Sequence, residues 1–374
     1  MRPLLVCVFL FFFLTTATLL QAQNSNDCEQ TLNQAAQEFT AGHFYGLPAL
    51  LKPCLDNFSN EQRVRAYMLL AQAYLVIDDP IAAEDSYLKL LRAEPEYIAT
   101  PEKDPIDIVY LSKKFTTRPI FTPRFKTGAN ATFDRVIQAV STDPMAIKTN
   151  HKMGVGLQIG GGLDWNVTDH WSISFDVLYG TKSFQTTKTG ISTFDTQSIT
   201  ESQSWVDIPL YLKYSREIGR VIPYGYLGLS TNILLSASAT ANFTNSYESG
   251  NSLPPVEGNY PLSYKRNALN KSIVLGIGAA FKVKRNFISI DLRYMGGLTN
   301  LTKASTNYYE NGSTDIATSI TTYRSVSDFF RIDNISLSFG YSRPIYNPRR
   351  IKVIEAPAFF KKIFNKKTKK SSNK

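Results

Sequence analysis

Eight stretches of the 374-residue chain alternate apolar and polar side chains at every second position, near 121–133, 152–167, 171–184, 203–215, 222–235, 272–283, 287–300 and 332–343. A period of two belongs to extended strands, whose successive side chains point to opposite faces. Each run provides the ~9–11 residues that a tilted strand needs to cross a bilayer. The connections alternate as well. Those after the second, fourth and sixth runs are tight, over 168–170, 216–221 and 284–286. Those after the first, third, fifth and seventh are long, polar and rich in Ser, Thr and Asn, the largest over 236–271. Short turns at one end and long loops at the other are the connectivity of an outer-membrane barrel. The pattern predicts an all-β transmembrane barrel of eight antiparallel strands over 119–345.

The two faces of each run say which medium each one meets. One parity is apolar: Trp171, Ile173, Phe175, Val177 and Tyr179 in the third run; Ile273, Leu275, Ile277, Ala279, Phe281 and Val283 in the sixth; Ile288, Ile290, Leu292 and Tyr294 in the seventh. These face lipid. Aromatic rings suit headgroup depth, so Trp165, Trp171 and Tyr214 are expected in a girdle near the short turns. Phe133, Trp205 and Tyr294 are expected in a second girdle near the long loops. The opposite parity carries Arg124, Lys126, Asp164, Asp176, Lys182, Asp207, Lys213, Lys282, Asp291 and Arg293. A barrel of eight strands is just wide enough for side chains to fill it. Gly154, Gly156, Gly160, Gly162, Gly276 and Gly278 leave inward room for Tyr211, Tyr224 and Tyr226, so a plugged, mutually neutralised lumen is expected rather than a pore. Pro209 cannot donate to a ladder and is expected to mark a bulge. A soluble ligand carrier with eight strands would place its charges outside, opposite to this pattern.

Residues 1–22 read as a secretory signal peptide: Arg2, an apolar run from Leu4 to Leu14, then small residues ending at Ala22. Cys7 falls within it. The remaining pair, Cys28 and Cys54, sits in an exported and oxidising setting, where a disulfide is expected; two buried thiols are the alternative. From 23 to 118 the period changes to that of a helix. Tyr67, Leu70, Ala71, Tyr74, Ala83, Tyr87 and Pro95 resemble the tetratricopeptide repeat in type and spacing. Ala71 and Ala83 let two antiparallel helices approach, Asp78-Asp79-Pro80 makes the turn between them, and Pro95 ends the second. Leu32, Ala35, Ala36, Phe39, Gly42, Phe44 and Leu51 form a degenerate earlier copy whose two ends would bring Cys28 and Cys54 together. Residues 104–115 are expected to cap the module.

The barrel half, over roughly 121–343, resembles the PorT-like outer-membrane barrel family. The resemblance rests on VDIPLYLKY (206–214), IPYGYLGLSTNILL (222–235), VLGIGAAFKV (274–283), FISIDLRYMGGLTN (287–300) and ISLSFGY (335–341). It implies a barrel fold and an association with protein secretion across the outer membrane. It carries no catalytic residue.

The net charge of +10 is concentrated at the end of the chain. From Arg349 onward there are ten Lys or Arg against Glu355 alone. Nothing basic lines a folded segment, which argues against nucleic-acid binding. The stretch from Lys361 to Lys370, beside Phe359, Phe360, Ile363 and Phe364, suits anionic lipid or an acidic partner as part of a basic tail over 346–374. An even number of strands places both termini in the periplasm. The three histidines, His43, His151 and His170, fall in separate regions. No metal-ligand spacing, phosphate loop or nucleophile motif occurs, so no cofactor is expected. The expectation is a non-enzymatic barrel in the outer membrane of a Gram-negative bacterium, contacting its lipid. It carries a helical module that binds a periplasmic or envelope protein; the alternative is a component of secretion or transport across that membrane.

Overall fold

The computed structural model describes residues 27–140, 148–189, 196–244, 256–309 and 326–351. It divides into two compact units, one containing the residues up to Arg118 together with those from Tyr346, the other Pro119–Ile345. The signal peptide and the Lys361–Lys370 stretch lie outside the described residues.

The helical unit begins with α1 (27–40), followed by the short helix α2 (Leu47–Leu51), which a 3-10 turn, Lys52–Cys54, extends. Pro48 lies in the first turn, where proline is tolerated, whereas Pro53 keeps this second element short, since it lacks the backbone donor that would continue the ladder. The earlier copy is therefore a helix and a broken one. Leu32 and Ala35 are buried there, whereas Ala36 is exposed. Cys28 and Cys54 form a disulfide with Cα atoms 5.5 Å apart, closing a separation of 26 residues. On a chain-entropy account that contributes roughly 3–4 kcal/mol.

Helices α3 (Asn60–Val76) and α4 (Pro80–Ala93) form an antiparallel hairpin whose ends are written locally. Ser59 and Gln62 make a reciprocal capping box on α3. Asp79 caps α4, with Pro80 in its first turn. Ala71 and Ala83 are fully buried where the helices meet, with Tyr87 beside them. Helix α5 (Ile106–Ser112) adds Ile108 and Leu111 to the same cluster, and Phe115 packs on Tyr87 at 5.4 Å between ring centres. Each large apolar side chain buried here, Leu90 for example, contributes roughly 1.5–3 kcal/mol.

Residues 346–351 were expected to begin a separate tail but instead join this unit. Arg349–Arg350 pairs antiparallel with Phe115–Thr116. Arg350 bridges Glu84 at 2.9 Å, and the Tyr346 hydroxyl donates to Glu96 at 2.8 Å.

In the second unit eight strands close a ring: β1 (Phe121–Gln138), β2 (Lys148–Asn166), β3 (Trp171–Thr189), β4 (Thr196–Ser215), β5 (Val221–Thr244), β6 (Leu269–Val283), β7 (Asn286–Gly297) and β8 (Phe329–Ser342). All neighbours are antiparallel, and β8 closes on β1 from Ser342↔Arg124 to Phe329↔Gln138. The predicted apolar parity faces outward. On β3 it runs Trp171, Ile173, Phe175, Val177, Tyr179 and then changes to Thr181, Ser183, Gln185 and Thr187. Reading β4 from its short-turn end gives Tyr214, Leu212, Leu210, Ile208 and Val206, then Ser204, Ser202 and Thr200. An apolar belt thus ends mid-strand, and β3, β4 and β5 continue past it as a wall with a polar outside.

Three expectations need correction. Trp205 belongs to the inward parity of β4 and is 2% exposed. It packs with Phe184, Leu234, Leu301 and Phe330, and its indole N–H donates to Gln203 at 2.7 Å. Pro209 produces no register shift. The β3–β4 ladder lapses between Phe175↔Leu210 and Leu178↔Asp207 and resumes in step, while Pro209 stays opposite Ser230 of β5. The irregularity lies instead at Ser204/Trp205, where Leu235 is left over on β5. That extra residue switches the buried set of β5 from Ser230, Asn232 and Leu234 to Ala237, Ala239 and Ala241. Finally, the stretch read as the longest loop is partly strand: β5 reaches Thr244, and Val256–Pro261 returns along it.

Candidate functional site

The inward face of the ring brings seven of the ten predicted lumen charges into one network. Asp176 on β3 is its centre, fully buried, at 2.7 Å from the Arg124 guanidinium of β1 and 2.8 Å from that of Arg293 of β7. The Tyr211 hydroxyl donates at 2.8 Å to Oδ2, the oxygen that Arg293 also contacts. Asp164 of β2 takes Lys213 at 2.5 Å, Arg124 at 2.9 Å and the Ser174 hydroxyl at 2.5 Å. Asp291 of β7 accepts from Tyr226 at 2.8 Å and Tyr224 at 3.3 Å. Lys126 stands between Asp176 and Asp291 at 3.6 and 3.7 Å, beyond hydrogen-bond reach of both. The period of two explains the convergence, because strands on opposite sides of a narrow ring aim their inward residues at one axis. Desolvating these ions costs several kcal/mol each, and only their mutual pairing offsets it.

Stacked rings fill the rest of the cross-section. Tyr211 and Tyr226 lie 4.4 Å apart between centres, and the Arg293 guanidinium lies 5.5 Å from each. Gly276 and Gly278 make room for this stack. A Cβ on Gly276 would stand 2.2 Å from Tyr226 Cζ, and one on Gly278 2.5 Å from Tyr224 Cζ. Lys182 and Asp207 form a separate pair at 2.9 Å, nearer the long loops and tied to Asn232. Lys282 shares the inward parity toward the short turns and is half-buried. Beside the Lys182–Asp207 pair, toward the long loops, a cavity of about 30 Å³ is lined by residues including Lys182, Asn232, Asn270 and Asn334.

At the long-loop end lies a second constellation that the sequence reading did not single out. Glu201 of β4 holds Arg266 by two hydrogen bonds of 2.7 and 2.6 Å, both residues being buried. Asp134 of β1 meets His151 of β2 at 2.7 Å, and Lys188 of β3 meets Asp328 at 3.1 Å. A lid of Leu262, Leu301, Phe330 and Trp205 packs beneath. The inward parity of Glu201 was a usable signal, but it falls just before the run read as strand. Arg266 lies in a connection, where periodicity says nothing.

Of the other predicted residues, Leu70, Ala71, Ala83, Tyr87 and Pro95 are buried in the helical unit, and Tyr67 and Tyr74 are half-buried. The histidines remain apart, His43 on Glu38, His151 on Asp134 and His170 against Tyr214.

No curated protein matches the chain. Among solved structures it is similar to the outer membrane protein OprG from Pseudomonas aeruginosa, at 12% identity over 63% of this chain and 98% of that one, with a TM-score of 0.31. It is also similar to Ail, the attachment invasion locus protein of Yersinia pestis, at 13% identity, 59% and 98% coverage and a TM-score of 0.24. The outer membrane protease OmpT from Escherichia coli is similar at 8% identity, 62% and 98% coverage and a TM-score of 0.29. Residues 124–303 match the model of a family described as outer membrane protein beta-barrel domain. That span runs from Arg124 in β1 to just beyond β7 and so takes in seven of the eight strands of the ring: the barrel of this chain has the outer-membrane β-barrel fold, of the kind that sits in the outer membrane of Gram-negative bacteria.

Proposed function

We infer that the barrel serves as an anchor for the helical unit, which faces the periplasm as a protein-interaction module and has no catalytic role. One observation carries the reading: the barrel begins and ends at its short-turn end. Phe121 at the start of β1 bridges Ile345 beyond β8, and Asn166 beside the β2–β3 turn donates to the carbonyl of Pro119. Short turns face the periplasm in barrels of this class, so both flanking segments emerge on that side. The packed lumen supports the same reading, since it leaves the barrel little else to do than hold. Repeat-like hairpins present surfaces for peptides and proteins, and the α3–α4 pair has the residue pattern of a tetratricopeptide hairpin. By its charge, the Lys361–Lys370 stretch suits anionic lipid headgroups as a contact.

Cross-linking with mass spectrometry in intact cells, using the full chain, tests this. The expected outcome is an envelope protein linked to residues within 27–115. Links confined to the long-loop side would overturn it. The second reading, a part in secretion or transport, is favoured by the PorT-like segments and requires the lumen to open.

A further inference from the structure

On β8 the lipid-facing parity runs Tyr341, Phe339, Leu337 and Ile335, all exposed, and then turns polar at Asp333 and Arg331. On β1 it reaches Phe133 and then Arg135. The β8–β1 ladder sets Arg331 directly opposite Arg135. Their Cβ atoms therefore stand roughly 4.5–5.5 Å apart on the outer face, a placement in which like charges repel. One carboxylate, Asp333, lies beside them, and it is already engaged. It accepts from the Gly297 N–H at 2.9 Å and from the Tyr294 hydroxyl at 3.2 Å, and Arg135 Nη2 approaches it at 3.4 Å. The same nitrogen donates to the Gly297 carbonyl at 3.2 Å, so the Arg135 guanidinium crosses β8 to reach β7. Arg331 leaves the backbone at that same point: a Cβ on Gly297 would stand 3.3 Å from Arg331 Cβ. Arg331 has no ion pair among the described residues, and its Nε is buried without a hydrogen-bond partner.

A third cation lies close by. On β6 the lipid-facing position next beyond Ile273 is Lys271, which is exposed. It sits two strands from Arg331, roughly 10 Å of sheet, with Leu298 between them donating its N–H to the Lys271 carbonyl at 2.9 Å. Three cations thus face one buried carboxylate, and the Arg135 side chain stays 53% exposed. Each of the three follows the last apolar side chain of its strand or stands one position further out, which is headgroup depth. A guanidinium fork matches the oxygens of a phosphate, and an anion there would relieve the repulsion between the two arginines. An acyl chain attached to that phosphate would continue over exposed Ile335 and Leu337. A soluble acidic partner would answer the charge but leave the belt unused. We propose that Arg135 and Arg331, with Lys271 beside them, hold the phosphate of an anionic lipid in the leaflet at the long-loop end. This site belongs to the barrel wall alone and is independent of what the helical unit binds.

Native mass spectrometry of the full chain released from detergent micelles tests this, with phosphatidic acid, the diacylglycerol of the same chains and inorganic phosphate as probes. Phosphatidic acid should be retained saturably, and each of the other two should bind more weakly by about ten-fold or more. Arg135→Gln and Arg331→Gln should each weaken retention of phosphatidic acid by about ten-fold, which is the worth of one charge-assisted hydrogen bond. Lys284→Gln, in a turn at the opposite rim, should leave it unchanged. A phosphatidic acid with a photoreactive diazirine beside its headgroup should label the unaltered chain within 133–137 or 329–335, a result that stands even where a variant fails to fold. Equal retention of diacylglycerol overturns the proposal, and so does inorganic phosphate binding as tightly, which would make the site one for a soluble anion. Unchanged retention in either arginine variant, or labels confined to other segments, overturns it as well.

Discussion

Asp176 receives Arg124, Arg293 and the Tyr211 hydroxyl at once, which makes it the residue whose loss strands the most charge. Asp176→Asn keeps the shape and removes the counter-ion, so the barrel should lose about 3–5 kcal/mol. Urea unfolding in lipid vesicles, followed by tryptophan fluorescence, measures it; an unchanged midpoint would show that the cations find other partners. A second residue-scale prediction concerns Gly276. Its substitution by Ala puts a methyl 2.2 Å from the Tyr226 ring, and overpacking of this kind costs about 1–3 kcal/mol. Adding Tyr226→Ala should make the Gly276 change nearly neutral, a coupling that a mere strand-propensity effect would lack. The seven networked charges were readable in the sequence because parity alone assigns them to one axis. Which aspartate meets which cation was not readable, since pairing depends on the stagger between strands.

Element by element, the regular parts were legible and the departures from them were not. The β3 and β4 belts followed from alternation, as did the tight turns beside Asn166, Ser215 and Val283. The leftover Leu235 on β5 inverts the pattern halfway along a strand, and a single extra residue leaves no mark in a period-two count. Ala-, Ser- and Thr-rich sequence beyond it resembles a loop until the partner strand Val256–Pro261 is known. In the helical unit, Tyr87 on α4 supplies a pH prediction. Burial pushes its hydroxyl up to about 12 from an ordinary value of 10.0. Above pH 10 the unfolded chain therefore releases a proton that the folded one retains, so stability that is intact below pH 10 declines as the pH climbs toward 12. Tyr97, raised by burial and by Asp104, acts in the same direction. Tyr87→Phe should reduce the loss of helical circular dichroism over that interval, relative to its own value at neutral pH. An identical alkaline profile would refute the assignment.

For the whole molecule, the question is whether anything passes through it. With Tyr211, Tyr226 and Arg293 stacked across the axis and ion pairs packed around them, the barrel in planar bilayers should give no steady current. A sustained open level would remove the anchoring reading and favour transport. The chain order of the two units has a consequence for biogenesis. Arg349 and Arg350, which extend the helical unit through Phe115 and Thr116, are synthesised only after Ser342 has completed the last strand of the ring. The export machinery delivers the first helices early, yet their final backbone partner arrives last. A chain truncated by premature termination would thus reach the envelope with an unfinished edge at Phe115, a visible flag for quality-control proteases.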